Sequence, residues 1–252
     1  MKGLPGTLHS GGASFATTRW SVVAACSDEN VATAVQEMAV AQLCRDYWPP
    51  LYSFVRRRGS SPADAQDLVQ GFFSHFLRKK IYAQTNSARG KFRTFLLAAL
   101  KNYLIDSWEK DRAGKRGGGG ELVLLDDELQ RVEQSYISEG ASLDEEQFYE
   151  KRWAIALVSR ALENLAVEFR AGKKEEIFRE LRPLVVGGSG VPPQEEIAAR
   201  LQMPLDTLRS HLSRLRARYR ALLREEVART IGFADDVEEE LRQLKRILIA
   251  AA

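Results

Sequence analysis

A chain of 252 residues, 44% hydrophobic and 28% charged, is long enough to bury a core and too apolar for wholesale disorder. Two cysteines, Cys26 and Cys44, and three scattered histidines, His9, His75 and His211, argue against a disulfide framework or structural zinc, so no metal or cofactor is expected and a reduced, cytoplasmic setting fits. No apolar run approaches the length of a membrane span, so no membrane insertion is expected.

The net charge is only +3, but its distribution is uneven. From Arg209 to Arg224 every charged residue is basic, whereas Arg131 is the single basic residue between Glu121 and Glu150. That asymmetry predicts one part facing phosphate and another kept off it.

Along the chain, helical periodicity dominates and strand alternation is hard to find, which predicts an all-α fold. Residues 1–40 read as a flexible tail without the apolar stretch of a secretory signal, followed by an accessory helix starting in TTRWSVV. Residues 41–115 form a first helical module. Within it Ser61 and Pro62 mark a helix start, with Asp64 and Asp67 in the early turns. Ala65, Leu68, Phe72 and Phe76 make its inner stripe, leaving Asp64, Asp67, Gln70 and Ser74 to project elsewhere. Gly71 weakens this helix by about 1 kcal/mol relative to alanine. A polar stretch, Gln84 to Lys91, precedes a second apolar face of Phe92, Leu96, Leu100, Tyr103 and Leu104, with Arg93, Lys101, Asn102, Trp108 and Lys110 as candidates for exposure. Phe92 and Tyr103 lie on the apolar stripe and read as core; Trp108 fits either core or surface.

The module closes in AGKRGGGG, which lacks the spacing and hydroxyl of a phosphate-binding loop and reads as linker. Residues 116–147 then form a flexible acidic linker with a short apolar patch, Leu122 to Leu125. A second helical module, 148–225, is interrupted by VVGGSGVPP and resumes at Gln194.

Its informative stretch is PPQEEIAARLQMPLDTLRSHLSRLRARYRALLR. Pro192 and Pro193 suit a helix start, and Glu195 and Glu196 favour the positive end of the helix dipole. This short helix buries Ile197, Ala198 and Leu201, and Pro204 ends it. In the next helix Leu205, Leu208, Leu212, Leu215, Tyr219 and Leu222 form one stripe. The other faces carry Arg209, Ser210, His211, Ser213, Arg214, Arg216, Arg218, Arg220 and Arg224. Two helices about a tight turn, the second basic on its outer face, predict a helix-turn-helix whose second helix enters the major groove. Arginines there can bridge guanine acceptors or clamp phosphates. Finally, residues 226–252 form an amphipathic extension with the stripe Val237, Leu241, Leu244 and Leu248, acids early and bases late. It either folds back on the second module or meets a regulator or second copy.

These motifs resemble the bacterial sigma factors of RNA polymerase, of the extracytoplasmic-function (ECF) type. Glu196, Ile197, Ala198, Leu201, Thr207, Leu208, Arg209, Ser210 and Leu212 match the pattern of sigma region 4; DAQDLVQGFF and RGKFRTFLLAALKNYLID resemble region 2. Gln202 and Pro204 depart from the family, standing where it commonly has glycine and a serine cap. Gln202 is therefore expected at positive φ, at a cost of about 1 kcal/mol, in a turn without a side-chain cap.

The resemblance implies two helical domains, region 2-like and region 4-like, joined by the flexible linker. By it, Asp64, Asp67, Gln70 and Phe73 bind core RNA polymerase. Arg89, Lys91, Arg93, Lys101, Asn102, Trp108, Lys110 and Arg112 hold melted promoter DNA at the −10 element, where a strand needs positive charge and a pocket or ring for an unstacked base. Thr207, Arg209, Ser210, His211, Ser213, Arg214, Arg216 and Arg218 read the −35 element. The partners implied are core RNA polymerase, promoter DNA and an inhibitory anti-sigma protein or other regulator. The acidic linker either threads near the polymerase cleft or is a solvated spacer. A helix-turn-helix regulator acting without polymerase is the rival reading, and it leaves DAQDLVQGFF unexplained. An enzyme is not expected, because no nucleophile–base pair or carboxylate cluster is recognisable.

Overall fold

The computed structural model describes residues 33–81, 91–112, 133, 143–187, 190–231 and 237–250, and among them every long element is an α-helix. The tail, the TTRWSVV segment, Arg89, Lys115 and most of the acidic linker lie outside the described residues.

Helix α1, Thr33–Arg57, buries Leu43, Tyr47, Leu51 and Phe54 on one side together with Cys44, Trp48, Tyr52 and Val55. Its apolar stripe is wide because neighbours pack on it from several directions. Pro49 and Pro50 sit inside it, and the Ser53 hydroxyl donates to the Pro49 carbonyl at 2.8 Å. Helix α2, Pro62–Arg78, starts as expected: the Ser61 side chain accepts from the Asp64 amide at 3.1 Å, with Pro62 in the first turn. It buries Ala65, Val69, Phe72, Phe73 and Phe76. Helix α3, Phe92–Arg112, completes the module with Phe92, Leu96, Leu97, Leu100 and Leu104. Gly71 has a packing reason: a Cβ there would overlap the Tyr103 hydroxyl oxygen.

Helix α4, Glu145–Ala171, opens with a reciprocal capping box between Asp144 and Gln147. Its first half gives Tyr149, Trp153, Ala154 and Leu157 to the core of α1–α3. Its second half gives Ala161 and Leu165 to a second core, shared with Phe178 and Leu181 of α5 (Glu175–Val186), Ile197 and Ala198 of α6 (Gln194–Arg200), and Leu208, Leu212, Leu215 and Leu222 of α7 (Leu205–Ala228). The expected module boundary at residue 148 therefore falls inside a helix that serves both cores. The break between α4 and α5 was not expected. Lys173 takes φ +56° there, and the amides of Lys173 and Lys174 bond back to the carbonyls of Arg170 and Phe169 at 3.0 and 2.8 Å, a Schellman closure.

Two polar ties cross between elements. Arg160 of α4 ion-pairs with Asp46 of α1 and, at 3.3 Å, with Glu226 of α7. Glu133, in the acidic segment, accepts from Tyr52 at 2.8 Å and pairs with Arg56 at 2.5 Å. Arg56 holds the Glu133 carboxyl below its ordinary range, and burial pushes the Tyr52 phenol well up. The last helix, α8 (Val237–Ala250), folds back against α4 and α7, and places Leu244 in the first core rather than the second.

Candidate polymerase and nucleic-acid interface

On α2, Asp64 and Asp67 are exposed one turn apart, and Gln70 is half-buried on the next turn. The Ser61 hydroxyl donates to the Asp64 carboxylate at 2.6 Å, so this acid partly serves the helix start. Phe73, expected on the same contact surface, is instead fully buried, with its ring 5.5 Å from that of Phe72. The stripe of α2 is wider than the sequence reading allowed: Val69 and Phe73, four residues apart, lie on the inner face beside Phe72 and Phe76.

The residues expected at melted DNA divide more sharply. Asn102 is exposed, and Lys101 is half-buried, paired with Glu146 of α4 and lying 5.8 Å from the Phe54 ring. Trp108, Lys110 and Arg112 fall on the last turns of α3, where side chains are outside the described residues, as is all of Arg89. Arg93 is not on the surface. Its side chain is 1% exposed, its guanidinium lies 3.9 Å over the Trp153 ring, and it pairs with Glu240 of α8 and, at 3.2 Å, with Glu150 of α4. The Tyr149 hydroxyl also donates to the Arg93 carbonyl at 2.9 Å. Burial of this charge is tolerable because it is paired and stacked. Its partners lie far away in sequence, so periodicity alone could not reveal the burial. Lys91 is paired with Glu240 at 2.6 Å and also meets Gln243.

The two helices expected to form a helix-turn-helix are α6 and α7, joined by a tight turn. Gln202 takes φ +52°, its amide bonds to the Ala199 carbonyl at 3.1 Å, and the Met203 amide reaches the Ala198 carbonyl at 3.0 Å. Pro204 precedes α7 without a side-chain cap, as expected. Leu208, Leu212, Leu215 and Leu222 are buried, so the turn presents Thr207, Arg209, Ser210, Ser213, Arg214 and Arg216 outward. Arg209 pairs with Asp206 at 3.3 Å, and the Ser210 hydroxyl donates to the Asp206 carbonyl at 2.9 Å. His211 is half-buried; burial, reinforced by Arg214 and Lys174, holds its imidazole below the ordinary histidine range. Arg218 is exposed but engaged, with two guanidinium nitrogens on Glu168 of α4 at 2.9 and 2.5 Å and one on Glu225 at 3.3 Å.

A cleft of about 470 Å³ opens beside α7, lined by Gln194, Arg209, Leu212, Ser213, Arg216 and Arg220. Its three guanidinium groups make it suited in charge to a phosphodiester backbone. Gln194 and Arg220 were not among the expected contacts. For Arg220 the signal was present, because residues 209, 213, 216 and 220 recur at steps of four, three and four along one helix face.

Among the described residues no group of His, Cys, Asp and Glu is arranged to hold a metal ion, and no helix is long and apolar enough to cross a membrane. The family Sigma-70 region 2 matches residues 43–114, a span that takes in most of α1 and all of α2 and α3. That match supports a sigma-factor-like role in polymerase binding and promoter melting. No curated protein and no solved structure matches the chain.

Proposed function

We propose that the chain is a sigma factor of the ECF type, which binds core RNA polymerase and directs it to a promoter. The observation that carries this reading is the presence, on one chain, of the region 2 match over α1–α3 and an arginine-lined helix-turn-helix about 80 residues further on. In this reading Asp64, Asp67 and Gln70 form a polar rim that fixes register on the polymerase clamp rather than supplying most of the affinity. Lys91, Lys101, Asn102 and the end of α3 hold the melted strand at the −10 element. Helix α7 reads the −35 element: Arg209, Ser210 and Ser213 face bases, while Arg216 and Arg220 clamp phosphates. RNA synthesis itself belongs to the polymerase, so the chain needs no catalytic group of its own, and it works in the cytoplasm where polymerase and DNA are found. An inhibitory partner is a natural level of control for such a factor.

The test is association with purified core polymerase. Wild-type protein should be retained by the core enzyme and support run-off transcription from a pool of genomic fragments. The Asp67→Arg, Gln70→Ala double variant should lose retention while keeping the wild-type thermal transition. Wild-type protein that grips double-stranded DNA but never associates with core enzyme would establish the polymerase-independent regulator instead.

A further inference from the structure

We propose that α8 is an intramolecular clasp: its acidic first turn occupies cations of both modules and must lift before the chain can hold single-stranded DNA. The inference rests on the sigma reading above and concerns the regulation of its strand-binding face.

Consecutive acids open the helix, Glu238, Glu239 and Glu240. Glu240 is 1% exposed and pairs with both Arg93 and Lys91 at the start of α3. Gln243, one turn on, also meets the Lys91 ammonium. Glu238 pairs with Arg224 of α7. One turn of helix thus neutralises three cations, two in the first module and one in the second. A DNA strand carries the same sign of charge as these carboxylates and cannot share the cations with them.

The apolar seat of α8 is shallow by comparison. Only Glu240 and Leu244 are buried; Leu241 and Leu248 are half-covered, and Ile249 is 65% exposed. A cleft of about 410 Å³ remains open along the seam, lined by Val158, Tyr219, Leu223 and Leu248 among others. A helix fastened by charge at one end, with Leu244 buried and Val237, Leu241, Ile247 and Leu248 only half-covered on the first core, is of the kind that moves in switching. While it is down, strand affinity is reduced by the fraction of molecules that are open.

Full-length protein is titrated against a mixed-sequence single-stranded oligonucleotide of about 20 nucleotides, a length that spans one strand-binding groove. Glu240→Gln removes the charge but keeps the shape, and should tighten binding about tenfold by raising the open population. Glu239→Gln makes the same change in net charge, but among the described residues Glu239 pairs within α8, with Arg242 and Arg246; it should leave affinity within about twofold of wild type, as expected for a screened surface charge. Equal tightening by both variants, or by neither, overturns the clasp. Should Glu240→Gln fold poorly, Glu238→Gln at the exposed Arg224 pair gives the same reading with a smaller gain. Hydrogen exchange of wild-type protein supplies an independent arm: amides of residues 237–250 should lose protection when core polymerase and DNA are bound. Association with polymerase and unchanged protection sinks the clasp alone, whereas failure to associate with polymerase sinks the sigma reading beneath it.

Discussion

Gln202 holds the chain in the left-handed region at φ +52° so that α6 can close and α7 can begin three residues later, at Leu205. The two closing bonds, from Gln202 to Ala199 and from Met203 to Ala198, are those of a Schellman motif, whose left-handed position normally falls to glycine. A side chain there incurs a Cβ–carbonyl clash of about 1 kcal/mol. Gln202→Gly should therefore raise unfolding stability by about 0.5–1 kcal/mol, offset in part by the greater freedom of glycine in the unfolded chain. A denaturant midpoint that moves up, with an unchanged slope, is the expected result; a lower midpoint would mean that the glutamine side chain contributes something the backbone account omits. Gly71 shows the converse case. Its backbone is ordinary α-helix, and the demand is steric, because the Tyr103 hydroxyl fills the space of the missing Cβ.

At the scale of one helix, the arginines of α7 are not equivalent. Arg209, Arg216 and Arg220 line the open cleft, whereas Arg218 is engaged by Glu168 and Glu225. The Arg218 hydrogen bond holds the Glu168 carboxyl below its ordinary range, so the pair is charged on both sides at neutral pH. Both groups are about 40% exposed, and a pair so wet contributes at most about 1 kcal/mol to stability. In the proposed DNA-reading role, this pairing leaves Arg218 little free charge to offer a phosphate. Arg220→Ala should weaken duplex binding across all sequences and reduce the salt slope by about 1, while Arg218→Ala should change that slope by much less. Fluorescence anisotropy against salt concentration separates the two; equal slopes would place Arg218 at a phosphate despite Glu168.

The same helix shows what was legible beforehand. Its leucine stripe, the tight turn, the uncapped Pro204 and the left-handed Gln202 all follow from local spacing and local sterics, and so do the Ser61–Pro62 start of α2 and the Phe72 and Phe76 part of its inner face. The engagement of Arg218, the burial of Arg93 and the double duty of α4 do not. In each case the deciding partner lies dozens of residues away or more, and charge patterns along one element carry no record of a carboxylate brought in by another. An arginine beside Phe92 reads as exposed until Trp153, Glu150 and Glu240 are placed around it. Likewise, the apolar residues of α4 recur at helical spacing from Phe148 to Leu165, but nothing in that period says that the stripe changes cores at Ala161.

Among the described residues α4 and α7 each contribute to both cores, and an ionic junction ties the two helices to α1. Arg160, 20% exposed, stands between Asp46 at 5% and Glu226 at 2%. Asp46 also accepts from Gln42 at 2.8 Å, and Glu226 accepts from Asn164 at 3.1 Å and Arg229 at 2.6 Å. Removing the central cation leaves two nearly buried carboxylates facing each other with weaker compensation, a change that costs about 3–5 kcal/mol when such a pair is broken. Replacing all three groups by apolar residues of similar size is a different matter, since it also removes the desolvation of the ions and is often neutral or stabilising. Arg160→Met should therefore destabilise the chain strongly, and the triple variant Asp46→Leu, Arg160→Met, Glu226→Leu should recover most of that loss. The junction ties α1 to α7 as well as to α4, so coupling should fail along with stability. Calorimetry of the wild type should show one transition, with calorimetric and van't Hoff enthalpies in agreement, and Arg160→Met should split it into two as the modules melt separately. A single, merely shifted transition in that variant would show that the helices shared by the two cores couple them without the junction.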